Sequence, residues 1–131
     1  MTKTPDPFFF IQLSDPQFGC FEARGATPGD GTFPETALYE TAIAAANRLK
    51  PEFVVVTGDL VQDSDNEAQH SELMRISAQL DHNIPLYLTT GNCDVGNTPS
   101  AKSLRIYREK FGNDNYSFDC HGSHFIVLNS S

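Results

Sequence analysis

Three apolar runs punctuate the chain: Phe8-Phe9-Phe10-Ile11-Gln12-Leu13, Phe53-Val54-Val55-Val56 and Ile84-Pro85-Leu86-Tyr87-Leu88. Runs this short and continuous read as strands covered on both faces, the pattern of a parallel sheet. The first is predicted over residues 8–13, the second over 53–57 and the third over 84–90. Between them apolar positions recur at helical spacing. Leu38, Ala42, Ala45 and Leu49 form one stripe, in a helix opened by Pro34 and Glu35 and stopped by Lys50-Pro51. Leu73, Ile76 and Leu80 form the next, in a helix predicted over residues 67–80 after the polar turn 62–66. Residues 100–111 read as a third helix, with Leu104 and Tyr107 inward and Lys102, Arg105 and Arg108 outward. Residues 116–118 and 124–128 then read as a hairpin around the turn 119–123. The order β-α-β-α-β implies right-handed crossovers and a parallel sheet, so the expected fold is a single α/β domain ending in a β-hairpin. Residues 1–7 read as a mobile lead-in. Residues 14–33 read as a glycine-rich loop long enough to serve as a lid or binding loop.

Each predicted strand runs into oxygen-bearing side chains: Ser14-Asp15-Pro16-Gln17, Gly58-Asp59-Leu60 and Gly91-Asn92-Cys93-Asp94. In open α/β sheets ligands bind at this carboxyl edge. One such residue alone is an ordinary cap or turn former. Asp15, Asp59 and Asn92 at one rim are a different matter, because carboxylates brought together repel unless divalent cations relieve the charge.

Size and charge narrow the picture. The 131 residues suit one domain, and 17 acidic against 9 basic residues give a net charge of −8 with a pI near 4.7. That balance argues against a nucleic-acid or anionic-membrane surface. The run at residues 8–13 is too short for a membrane span or signal core. Cys20, Cys93 and Cys120 are odd in number and contain no C-x-x-C pair, so reduced thiols and a cytoplasmic location are expected. No glycine-rich nucleotide loop is present. Cys93 has no identifiable base to make it a nucleophile. His70 and His82 read as solvated, and His121 and His124 as turn residues.

Taken in series, Ser14-Asp15-Pro16-Gln17, Gly58-Asp59-Leu60-Val61 and Gly91-Asn92-Cys93-Asp94 resemble the D-x-H, G-D-x-x and G-N-H-[D/E] blocks of the calcineurin-like metallophosphoesterases. The resemblance runs from about Phe8 to the end, hairpin included. It implies the α/β sandwich of that family and a binuclear centre of two divalent ions (Mn, Fe, Zn or Mg) that hydrolyses a phosphoester. Asp15 and Gln17 would bind the first metal, Asp59 would bridge both and Asn92 would bind the second. Cys93 would stand where a histidine usually meets the phosphate or leaving group, and Asp94 would orient Cys93. The departures weaken this chemistry. Gln17 is a neutral ligand and Cys93 a weak donor, although some members of the superfamily also read G-N-C-D. No G-H-x-H block follows the third motif, so the chain looks like the amino-terminal half of such a domain, impaired in activity. Two other readings stand beside it: a degenerate metal- or phosphate-binding domain that serves as an interaction surface, and an α/β binding domain unrelated to phosphate. A half sheet would leave an edge open to self-association.

Overall fold

The computed structural model describes residues 6–26 and 33–131. In chain order its elements are β1 (Ile11–Ser14), α1 (Cys20–Ala23), α2 (Glu35–Leu49), β2 (Val54–Thr57), α3 (Glu67–Ser77), β3 (Leu86–Thr89), α4 (Asn92–Val95), α5 (Ala101–Phe111), β4 (Tyr116–Cys120) and β5 (Ser123–Val127). The first three strands make a parallel sheet in the order β1-β2-β3, and β4 and β5 pair as an antiparallel hairpin. The expected α/β class with a terminal hairpin is therefore the one observed. The lead-in at residues 1–5 and the loop segment 27–32 lie outside the described residues.

Strand β2 is the axis of the molecule. Val54 and Val56 are fully buried against the helices, where they meet Ile43, Ala46, Leu73 and Ile76. Each such valine, leucine or isoleucine side chain contributes about 1.5–3 kcal/mol when removed from water. The opposite face is aromatic. Phe53 packs edge-on to Phe118 and Phe125 of the hairpin, with 5.1 Å between centroids in both cases, and Tyr87 stacks on Phe118. The sheet is thus held between a helical layer and the hairpin, a layered arrangement that buries both faces of its central strand.

The first strand begins later than the triple phenylalanine suggests. Its ladder with β2 starts at Ile11 opposite Val54, because Pro51 delays the partner strand. Phe9 accepts a single bond from the Glu52 amide, while Phe10 stacks on Phe53 at 4.7 Å. Residues 14–26 are not a plain loop: Phe18 bridges to Val61 and α1 follows. The third strand and second helix are shorter than predicted, and α4 occupies part of the expected loop after β3.

Helix α2 turns a different stripe inward. Leu38 and Leu49 are exposed, whereas Tyr39, Ile43 and Ala46 are buried together with Glu35 and Thr36. The 39-43-46 stripe carries larger side chains than the alanine-rich 38-42-45-49 stripe, and burying more apolar area decides the rotation of the helix. The apolar stripes of α3 and α5 follow expectation. Asn66 caps α3 by accepting from the amides of Ala68 and Gln69, and Tyr107 of α5 is 1% exposed. Arg108 is exposed as expected, and its guanidinium grips the buried Asp114 through two bonds of 2.6 and 3.2 Å.

His70 is buried rather than solvated, stacked on Phe111 at 5.1 Å, with neither ring nitrogen hydrogen-bonded. Burial, with Lys110 nearby, holds its pKa below the usual 6.5, although Glu67, a contact with the Ser64 backbone too poorly aligned for a full hydrogen bond, and Asp63 oppose the shift. The unfolded chain therefore takes up this proton first. Titration of His70 has no effect on stability well above pH 6.5 and destabilises the fold as pH falls below it. Urea unfolding is expected to show a loss between pH 7 and 5 that is smaller in His70→Phe, and an equal loss in both proteins would refute the assignment.

Candidate metal centre

The three parallel strands end in register, with Ser14 opposite Thr57 and Thr57 opposite Thr89. The chain therefore leaves the sheet at one level three times, and Asp15, Asp59 and Asn92 follow within a few residues. All three line one polar cleft of 320 Å³, together with Thr57, Thr89 and Ser130. Those three hydroxyl residues carried no sequence signal of their own, since a threonine ending a strand is commonplace.

The backbone around this cleft is strained. Five non-glycine residues among those described have positive φ, and three of them are Asp15 (51°), Gln17 (41°) and Asp59 (44°). Aspartate tolerates the left-handed region better than most residues, but glutamine gains nothing there locally. Strain of this kind costs about 1–3 kcal/mol per residue and persists at functional sites. It is held by pairing between the first two loops: the Gln17 amide donates to Asp59 O at 2.9 Å, and the Phe18 amide to Leu60 O at 3.2 Å.

The second and third loops touch even more closely. A Cβ on Gly91 would lie 2.1 Å from the Asp59 nitrogen and 2.2 Å from its Oδ1, so no side chain fits there. Asp59 Oδ1 accepts from the Cys93 amide at 3.0 Å. Asp94, 2% exposed, fastens the same two loops: Oδ1 accepts from the amides of Leu60 (2.8 Å) and Val61 (3.1 Å), and Oδ2 from Gly91 (2.8 Å). Burial pushes the Asp94 carboxyl up to about 6 against the pull of these amides. Its carboxylate bonds run to backbone amides and not to the Cys93 thiol, so it positions the loops that carry Asp59 and Asn92 rather than contacting Cys93.

Gln17 sits beside the cleft and does not line it. Its Nε2 donates to Gln62 Oε1 at 3.1 Å and to Cys93 Sγ at 3.3 Å, which leaves Oε1 as the ligand-type atom. Burial pushes the Cys93 thiol up, and Asp59 adds to the shift, so Cys93 is a neutral thiol at pH 7. A second cleft, of 510 Å³, opens on the other side of Asp15 and Gln17 and is walled by Phe21, Leu38 and Tyr39. His82 is exposed, and His121 and His124 pair with Glu52 and Asp119 at the hairpin turn, so these three histidines take no part in the rim.

Asp15, Asp59 and Asn92 bring two carboxylates and one amide oxygen to a cleft with no cationic side chain in its lining, a donor set that fits a hard divalent cation. No helix among the described residues is long and apolar enough to cross a membrane.

Comparison with known proteins agrees with this geometry. The sequence profile of the calcineurin-like phosphoesterases matches residues 10–129. Relatives named serine/threonine-protein phosphatase CPPED1 match 95% of the chain, with 40% identity in Bos taurus and 39% in both Rattus norvegicus and Homo sapiens. The chain spans 43% of the length of these relatives. Strand order, loop positions and sequence match converge: the chain belongs to the calcineurin-like phosphoesterase family.

Proposed function

We propose that the chain forms the amino-terminal part of a divalent-metal-dependent phosphoester hydrolase and supplies one wall of its reaction centre. The observation that carries this reading is the single cleft shared by Asp15, Asp59 and Asn92, with both aspartates at positive φ. Asp15 and Gln17 would hold one cation, Asn92 a second, and Asp59 would be shared through the carboxylate edge not engaged by the Cys93 amide. The all-oxygen donor set favours magnesium or manganese over the iron and zinc that histidine-rich sites take. Bound there, divalent cations supply Lewis acidity toward phosphoryl oxygens and activate water for attack on phosphorus.

The chain's own residues do the positioning. Asp94 and the missing side chain of Gly91 keep the second and third loops in contact. Gln17 Nε2 fixes the Cys93 sulfur beside Asp59. The neutral Cys93 thiol can donate to a leaving-group or phosphoryl oxygen, although less strongly than an imidazolium. With few protein ligands per ion, this chain alone is an impaired enzyme, and the further length of the relatives supplies what completes it. Their name points to phosphorylated serine or threonine as the ester, which makes a phosphomonoester the substrate class. Strands β1 and β3 each have one unpaired edge among the described residues, open to self-association that light scattering at high concentration measures. Free cysteines accord with a cytoplasmic location, which cell fractionation tests.

The test is hydrolysis of p-nitrophenyl phosphate by the chain and by a longer form with the downstream segment of its relatives. Activity is expected in the longer form, strongly reduced in the chain, abolished by chelation and restored by manganese. A rate indifferent to chelation refutes the proposal. Manganese binding without hydrolysis in either form supports the second reading, a degenerate binding domain, which the neutral donors at Gln17 and Cys93 favour.

A further inference from the structure

At the end of the sheet remote from Asp59, Glu52 precedes β2 while Cys120 and His121 close the hairpin at the end of β4. The Glu52 carboxylate, Cys120 Sγ and a ring nitrogen of His121 all lie within 4.8 Å of one another. His121 Nε2 is 3.1 Å from Glu52 Oε2. Among the described residues no other three acidic, histidine or cysteine side chains meet in this way.

The three donors sit on rigid supports. The turn is tight, with His121 at φ 47° and Gly122 at 81°, and Cys120 pairs with Ser123 across its base. The ring of Phe8 stacks on the His121 imidazole at 5.0 Å and 17°, which fixes its plane. Glu52 is tied through its amide to Phe9 O at 3.0 Å. The other charged groups of the turn are already paired, Asp119 with His124 at 2.6 Å.

We propose that Glu52, Cys120 and His121 form a second cation site, for a borderline divalent ion of the zinc class, clipping the hairpin turn to the start of β2. One thiolate, one imidazole and one carboxylate are a donor set that zinc takes with a fourth position left to water. For bonds of about 2.0–2.3 Å a tetrahedral zinc ion holds its donors about 3.3–3.8 Å apart, so no pair here closes by more than about 1 Å, while the His121–Glu52 pair, now 3.1 Å apart, opens by a few tenths. Binding displaces the Cys120 thiol proton to solvent. Burial and Glu52 hold that thiol protonated in the metal-free protein, so affinity rises with pH. The donors differ from those of the rim, where only oxygen ligands and the neutral Cys93 thiol are available, and the two sites are therefore separable by metal preference.

Cobalt(II) titration of the reduced chain reads the site directly, because cobalt bonded to sulfur gives a thiolate charge-transfer band in the near ultraviolet. The band is expected in the native chain, in Cys93→Ser and in Asp59→Asn, and absent in Cys120→Ser. Zinc affinity by competition is expected to fall by about tenfold or more in Glu52→Gln and in His121→Ala. Absence of the band from the native chain overturns the proposal. So does a band that survives Cys120→Ser, or one that disappears with Cys93→Ser. Each result is independent of whether the Asp59 rim binds manganese.

Discussion

Replacing Asp59 by asparagine is expected to abolish manganese-dependent phosphoester hydrolysis in the longer form while leaving the fold intact. Asparagine keeps an oxygen in place for the Cys93 amide, 3.0 Å away, so the contact between the second and third loops survives. What it loses is the negative charge that two cations would share. Removing a mere supporting partner of a metal ligand costs 10–100-fold in affinity, so loss of a bridging carboxylate is expected to cost at least about 100-fold in manganese affinity and in rate. Calorimetric titration and initial rates check both. Full activity in Asp59→Asn, with unfolding by urea unchanged, would remove the bridging role.

The second large effect is on stability. Asp94→Ala is expected to cost about 3–5 kcal/mol, because it strands the buried amides of Leu60 and Val61, where each unpaired donor costs about 1–3 kcal/mol, and the half-buried amide of Gly91, which costs less. Asp94→Asn separates this role from charge. Its oxygen can still accept from Leu60 and Val61, but its amide nitrogen meets the Gly91 N–H donor to donor, so a loss of about 1–3 kcal/mol is expected. Urea unfolding at pH 7 is the measurement. A loss under 1 kcal/mol in the alanine variant would show that the carboxylate does not hold the two loops together.

Much of this was legible from the residues. Strand β2 was plain because Val54, Val55 and Val56 are β-branched and bounded by Pro51 and Gly58, which signal strand and turn independently. The convergence of Asp15, Asp59 and Asn92 followed from parallel topology, since equal-length parallel strands leave the sheet at one level. Other features depend on long-range packing that no local window contains. The rotation of α2 does not show in the apolar pattern, because alanines count as apolar while burying little, so Tyr39 and Ile43 outweigh Leu38 and Leu49. His70 looked polar in a polar helix, yet Phe111 covers it from α5. The bonds of Asp94 link side chain to backbone across some thirty residues, 34 to Leu60 and 33 to Val61, and leave no mark on the motif itself. Gly91 likewise looked like a turn former, and only the packed loops show that Asp59 occupies the space its side chain would need.

Anomalous scattering from manganese-soaked crystals bears most directly on the shared cleft. Two peaks flanking the Asp59 carboxylate are predicted, one toward Asp15 and one toward Asn92. Manganese found nowhere near Asp59, at concentrations that saturate the protein, would contradict the idea that these loops converge in order to hold ions.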